Sequence, residues 1–274
     1  MKARPKRRSA YGQSARPEHS RRDILYGRHA VRESLRARRR KFYKLMLAEG
    51  VQQTDAIGQI VSMAERAGVQ IIRTERRNLD RIGSAHKVGA HHQGVVLETG
   101  EYHYVALDDV LIAAQSRDET PLILLLDQLQ DPQNVGGLLR TAEAIGVHGV
   151  VIQRRRAVGV TPAVVHASAG AVEHLMVVQV TNLVDAIVKL KERDVWVAGL
   201  EAVPGAQQYD QADLGGPLAI VVGSEGEGLR RLVRKRCDFV LQLPMRGQVT
   251  SLNASVAGAV VLYEAFRQRS ADGE

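Results

Sequence analysis

Three polar, glycine-rich stretches hold the residues able to do chemistry, and each directly follows an apolar run that reads as a strand. The first is Asp131-Pro-Gln-Asn134-Val-Gly136-Gly137-Leu-Leu-Arg140. On a helix Gly136 and Arg140 stand at i and i+4, on one face, with open space expected beneath the guanidinium. A plain helix start, with Asn134 as cap and a solvated arginine, accounts for the same residues. The second is Gly223-Ser-Glu225-Gly226-Glu227-Gly228-Leu229. Its glycines permit unusual backbone angles and close approach of a ligand. The order is G-x-x-G-x-G, not the dinucleotide G-x-G-x-x-G. Two carboxylates there would repel a pyrophosphate at a helix amino end and suit a cationic ligand. The third is Leu243-Pro-Met245-Arg-Gly247-Gln-Val-Thr250-Ser251-Leu252-Asn253-Ala-Ser255. Ser251 or Asn253 can cap a following helix, but a cap needs one polar residue. Four crowded together point to a hydrogen-bonding site as well.

The elements around these stretches follow from hydrophobic pattern. Residues 122–126, 147–152, 175–180, 195–200, 218–222 and 239–243 are apolar runs of strand length, with helical segments between them, notably Leu183–Lys191 and 229–236. A last helix is predicted over 253–268, with Val256, Val260 and Tyr263 on one side. Alternation of this kind predicts a parallel sheet between two helical layers, a Rossmann-like α/β domain over 121–270. Ligands in such sheets sit at the carboxyl ends of strands, where the three stretches lie. Upstream, a smaller α/β unit over 23–99 is predicted. Its strands fall at 42–47, 69–72 and 94–98, with an amphipathic helix after Ile24-Leu25 and another over 57–67 that stops at Gly68. Residues 100–120 read as a linker with a weak helix over 105–114, and residues 1–22 as a flexible basic arm.

Charge is unevenly placed along the 274 residues. The net charge is +8, yet residues 1–44 hold 16 Lys or Arg against three acids, and the rest of the chain is net acidic. A polyanion partner at the amino end is the simplest explanation; a solubilising tail or an organelle-targeting segment are the alternatives. No apolar run approaches the roughly 18 residues of a membrane span. The lone cysteine, Cys237, excludes an internal disulfide and a cysteine-based metal centre, and fits the reducing cytoplasm. His91-His92 is read as structural, since neighbours on a strand face opposite ways and no acidic partner stands nearby in sequence; no metal is expected. Trp196, in an apolar strand, is read as core.

The three stretches together resemble the SpoU (TrmH) family of RNA ribose 2′-O-methyltransferases. The motifs are N-x-G-x-x-x-R at 134–140, G-S-E-G-E-G-L at 223–229, and L-P-M-x-G with S-L-N-A-S at 243–255. Two upstream segments, Leu25-Tyr-Gly-Arg-His29-Ala-Val-Arg-Glu-Ser-Leu35 and His92-Gln-Gly-Val-Val96, resemble the RlmB branch of that family. The resemblance implies a SPOUT fold, whose carboxyl-terminal segment threads a trefoil knot, behind a small ribosomal-protein-like RNA-binding domain. It implies S-adenosylmethionine as cofactor, held near Gly223, Leu243 and Leu252. It implies a homodimer with the final helix in the interface. Arg140, Asn134, Glu225, Ser251 and Asn253 match the family's catalytic positions, and Arg28, His29 and Arg32 lie in its RNA-binding segment. The implied substrate is a guanosine ribose in large-subunit (23S-type) ribosomal RNA.

Methyl transfer to a ribose oxygen is an in-line displacement in which the hydroxyl loses its proton. No histidine stands in the three stretches. Arg140 is a poor base, because guanidinium stays protonated; the alternative is that it stabilises the developing alkoxide while a phosphate or water takes the proton. Three rivals remain at the level of sequence: a tRNA or another rRNA nucleotide as substrate, a non-catalytic RNA-binding protein on the same scaffold, and a nicotinamide-dependent enzyme, which the loop order disfavours.

Overall fold

The computed structural model describes residues 22–85 and 89–271. The predicted basic arm lies outside these residues except for Arg22, which already belongs to a strand. That strand, β1 (Arg22–Tyr26), is followed by α1 (Arg28–Ala37), β2 (Phe42–Ala48), α2 (Asp55–Arg66), β3 (Gln70–Thr74), α3 (Arg76–Ala85), a short 3-10 turn (Gly89–His92) and β4 (Val95–Gly100). Among the described residues the first sheet runs β1-β4-β2-β3, with β4 antiparallel to both neighbours and β2 parallel to β3. Helix α2 shows why the local pattern works. The Thr54 hydroxyl accepts from the Ile57 amide at 3.5 Å, Ile57, Ile60 and Ala64 face the core, and Gly68 turns the chain at φ +65°.

Helix α4 (Leu107–Ser116) comes next. It is no free tether: Val110 is fully buried, and Val105 bridges to Val178 in the second sheet. Then follow β5 (Leu122–Asp127), α5 (Pro132–Ala144), β6 (Gly149–Gln153), α6 (Pro162–Ala167), a 3-10 turn (Ala171–His174), β7 (Val177–Val180), α7 (Leu183–Lys191), β8 (Trp196–Leu200), β9 (Gln207–Gln208), β10 (Leu218–Gly223), α8 (Arg231–Arg236), β11 (Phe239–Gln242) and α9 (Ala254–Ala271). The second sheet is ordered β7-β6-β5-β10-β8-β11-β9, and its pairings are parallel. This is the SPOUT class of α/β fold, with a smaller α/β unit in front of it.

Strand β5 shows why the sheet is buried on both faces. Leu122, Leu124 and Leu126 join one apolar cluster, while Ile123 and Leu125 join the other. The first cluster also takes in Leu25, Leu45, Leu97 and the apolar faces of α1 and α2, so one core runs through both units. Trp196 is a correction to the sequence reading. It is 59% exposed at the first position of β8, on the face opposite Val197, where the amino end of the strand is not covered.

Candidate active site

Strands β5 and β10 are neighbours in the sheet, β11 lies beyond β8, and the three stretches rise from the carboxyl ends of these three strands. Gly223 closes β10 in register with Asp127, the last residue of β5. Asp127 is fully buried and accepts from the Arg230 amide at 3.0 Å and the Arg230 Nε at 2.7 Å. This carboxylate pins the far end of the glycine stretch back onto β5. The stretch also folds on itself, for the Gly228 amide donates to the Ser224 carbonyl at 3.0 Å. A Cβ on Gly223 would stand 2.3 Å from the Gly228 carbonyl, so glycine is required there by the turn itself.

Asp131, not Asn134, caps α5. Its carboxylate accepts from the Gln133 and Asn134 amides at 3.2 and 3.1 Å, and Pro132 takes the first helical position. That leaves the buried Asn134 side chain free for tertiary work. Asn253 caps α9: its Oδ1 accepts from the Ser255 amide at 2.9 Å and the Val256 amide at 3.3 Å. The Asn253 Nδ2 then donates to Asn134 Oδ1 at 2.7 Å and to Glu225 Oε1 at 2.5 Å. One side-chain amide therefore joins all three stretches.

Beside that junction lies a cavity of about 670 Å³, lined by Gly223, Glu225, Leu243, Ser251, Leu252 and Asn253 among others. Its walls mix apolar surface (Leu200, Val222, Met245, Ala257) with the carboxylates of Glu201, Glu225 and Glu227. A smaller cavity of about 340 Å³, lined by Gln128, Asp131 and Asn134, shares Ser224, Glu225 and Glu227 with it.

Arg140 lines neither cavity. It is exposed on α5 and makes no side-chain hydrogen bond or ion pair among the described residues. Nor is there open space beneath it at Gly136, where a Cβ would stand 2.4 Å from Ala167 Cβ and 2.8 Å from the Ala167 carbonyl carbon. Gly136 is the contact by which α5 lies close on α6. Arg28, His29 and Arg32 sit apart, in a hollow of about 480 Å³ on the first unit with Thr54 and Gln93.

Asp127, Arg230 and Glu201 were not singled out from sequence. The signal at Asp127 was a carboxylate ending a wholly apolar strand. His92 lies in a 3-10 turn, not a strand, and it does have an acidic partner: its Nε2 lies 2.8 Å from Asp80, while its Nδ1 accepts from the Gly94 amide. Among the described residues no group of three or more histidine, cysteine or acidic side chains is arranged to hold a metal. Burial pushes the Cys237 thiol up to about 12, which makes it a poor nucleophile at neutral pH. No described helix is long and apolar enough to cross a membrane.

Comparison with known proteins gives the family. Residues 121–263, just over half of the chain, match the SpoU rRNA Methylase family, and residues 24–105 match the family described as RNA 2′-O ribose methyltransferase substrate binding. The TrmH family protein YacO of Bacillus subtilis is 45% identical over 92% of this chain and 98% of its own; its name leaves tRNA and rRNA both open. The crystal structure of the SpoU methyltransferase AviRb from Streptomyces viridochromogenes, in complex with AdoMet, superposes with a TM-score of 0.74 at 23% identity, covering 90% of each chain. A crystal structure of an RNA 2′-O ribose methyltransferase superposes at 0.70 with 25% identity, over 92% of this chain and 90% of that one. With both of its units matched by family models and a relative 45% identical over nearly its full length, the chain belongs to the SpoU (TrmH) family of RNA methyltransferases.

Proposed function

We propose that this chain transfers a methyl group to the 2′-hydroxyl of a guanosine in large-subunit ribosomal RNA. The observation that carries the reading is the Asn253 amide joining Asn134 and Glu225 at the mouth of the larger cavity. S-Adenosylmethionine is the cofactor, and when bound it supplies an electrophilic methyl group on a positively charged sulfur. The cavity suits that group: three carboxylates face it for the charge, and Leu200, Val222, Leu243 and Leu252 offer apolar surface for a flat base. Gly223, Leu243 and Leu252 would hold the donor; Glu225 and Asn134 would position the nucleotide and Arg140, and Ser251 and Asn253 would organise the loop and help hold substrate or cofactor. Positioning of this kind supplies much of the rate of a displacement.

Arg140 acts on the hydroxyl oxygen, either as its proton acceptor or by stabilising the alkoxide as it forms. It stands one turn on from Gly137, whose Cβ position meets Ser255 of α9 at 3.3 Å. The same α9 exposes Val256, Val260, Tyr263 and Phe266. An apolar face of this kind is read as the seat of a second copy, and the homodimer as the state in which Arg140 meets a cavity. The division of labour follows the two sheets: residues 23–99, with Arg28, His29 and Arg32, hold RNA, 100–120 join the units, and 121–270 carry transfer and the threaded carboxyl end. A bacterial-type cytoplasm is the proposed compartment.

The test uses the full chain with labelled S-adenosylmethionine and unmodified bacterial ribosomal RNA and tRNA, followed by mapping of 2′-O-methyl groups. The expected product is a single 2′-O-methylguanosine in the large-subunit RNA. Label in tRNA alone, or on another nucleotide, would overturn the substrate.

A further inference from the structure

The carboxylates that suit a cationic donor create a difficulty for RNA. Glu201, Glu225, Glu227 and Asp131 line the two cavities, and each would repel the phosphates that flank a reacting nucleotide. Cations near that mouth would offset this repulsion and help hold the strand there. The loop after β6 offers three in a row, Arg154-Arg155-Arg156.

All three are exposed, and none makes a side-chain hydrogen bond or ion pair among the described residues. Some exposed arginines do have acidic partners, as Arg193 with Asp108 at 3.3 Å and Arg267 with Glu264 at 2.7 Å, whereas this run sets three without one side by side. Three adjacent like charges without a counter-charge repel one another, a cost that a bound polyanion removes.

The loop is also fixed in place against the site. The Arg154 amide donates to the Val180 carbonyl at 2.8 Å, and the Val158 amide donates to the Leu129 carbonyl at 3.0 Å. Gln153 Oε1 accepts from the Gln128 amide at 3.1 Å. Gln128 and Leu129 are wall residues of the smaller cavity, so the arginine loop and that wall are hydrogen-bonded together. Past the triplet, the Val160 amide donates to the Tyr104 hydroxyl at 2.9 Å and the chain enters α6. There His166 stacks on Tyr26 with ring centroids 4.6 Å apart, two residues before Arg28. One continuous segment thus runs from the wall of the smaller cavity to Tyr26, two residues before the basic hollow of the first unit.

We propose that Arg154, Arg155 and Arg156 form a phosphate-binding track that holds the RNA backbone between the transfer cavity and the Arg28–His29–Arg32 hollow. They are positioning residues, reading charge and not base. The proposal rests on the chain being an RNA methyltransferase and adds a site to that reading.

The test compares the full-length protein with R154Q/R155Q/R156Q and R154K/R155K/R156K. The probe is protein-free bacterial ribosomal RNA, titrated between about 50 and 200 mM salt. Each phosphate contact contributes about 0.7 to 0.9 to the slope of log affinity against log salt. The glutamine variant should lose about two from that slope and bind at least roughly tenfold more weakly at low salt, with KM for RNA rising in step. The lysine variant should keep the slope. S-Adenosylmethionine binding by calorimetry should be the same in all three. R155Q alone, a milder change, should lose a little under one. An unchanged slope in the glutamine variants overturns the track and leaves methyl transfer intact. A full-length protein that neither binds the donor nor methylates RNA overturns the parent reading and this one with it.

Discussion

The side-chain amide of Asn253 has two hydrogens with two different acceptors, while its oxygen caps a helix. Each role fails separately. Asn253→Asp keeps the capping oxygen, so thermal stability should hold within about 1 kcal/mol, but it places a carboxylate against Glu225 and Asn134. Methyl transfer should then fall about a hundredfold, the usual penalty for a reacting group displaced by an ångström. Asn253→Ala should lose both, with about 1 kcal/mol of stability gone besides. Parallel melting curves and transfer assays separate the two; equal losses in Asp and Ala variants would mean that the junction is structural. Arg140 behaves differently, because no hydrogen bond or ion pair holds its side chain among the described residues. Arg140→Ala should leave the melting curve and donor binding unchanged and abolish transfer to RNA, and near-normal turnover would remove it from the site. Asn253 stood out in sequence because Thr250, Ser251, Asn253 and Ser255 crowd where a helix cap needs one polar residue, while Asn134 and Glu225 were read from their glycine-containing motifs. That Asp131 would take the cap and free Asn134 was not legible, since either residue has the chemistry for it.

Helix placement rests on contacts that sequence periodicity does not contain. The runs at 122–126 and 218–222 are unbroken by polar residues, so central parallel strands, and ligands at their carboxyl ends, are legible in the apolar pattern alone. Gly136 is not legible in that way. Its role is set by α6, about thirty residues on, which the sequence pattern did not single out, and the glycine proved a packing contact. Gly136→Ala should therefore destabilise the protein by about 1–3 kcal/mol in urea unfolding, by forcing α5 off α6, even though alanine favours helices elsewhere. Helix α3 was missed for a related reason: Asn78, Asp80 and Gly83 are weak helix formers, and Leu79 against the first sheet supplies the anchor. His148 shows an element held by a protonation state. Its Nδ1 accepts from the Leu122 amide at 3.1 Å, at the head of β5, and its Nε2 meets Glu119 at 2.9 Å. Burial pulls its pKa below 6.5, and Glu119 only partly offsets that. A base whose folded pKa is depressed stabilises the fold fully above the unfolded value, and the stability drains away as pH falls from about 6.5 toward the folded value. His148→Gln should flatten this part of the stability–pH curve. A variant that keeps the wild-type slope below pH 6.5 would assign the acid sensitivity elsewhere.

At the scale of the whole molecule, two sheets act together only if the angle between them is fixed. One contact between them is ionic and dry. Arg40, in the first unit, and Glu173, in the second, are both fully buried as side chains. The Arg40 Nε donates to both Glu173 oxygens at 2.9 and 3.0 Å, and its Nη1 meets Asp23 at 2.7 Å. Around this pair, Arg39 donates to the Leu175 carbonyl at 2.5 Å, the Tyr102 hydroxyl donates to the same carbonyl at 2.6 Å, and Glu33 meets His174 at 3.0 Å. A buried pair contributes little net stability over an apolar replacement, yet losing one member strands a charge and costs about 3–5 kcal/mol. Its value lies in geometry, because a bidentate fork tolerates one orientation where an apolar contact tolerates several. Glu173→Gln should therefore lower stability by several kcal/mol, whereas R40M/E173M should recover most of it. Function should not recover with it. In the double variant donor binding stays intact, but KM for RNA rises, since the basic hollow no longer stands at a fixed angle to the cavity. Urea unfolding of the full double-mutant cycle beside RNA titrations makes the comparison. If the double variant regains wild-type KM together with its stability, the ion pair is only glue, and the angle is set by the apolar core that the two units share.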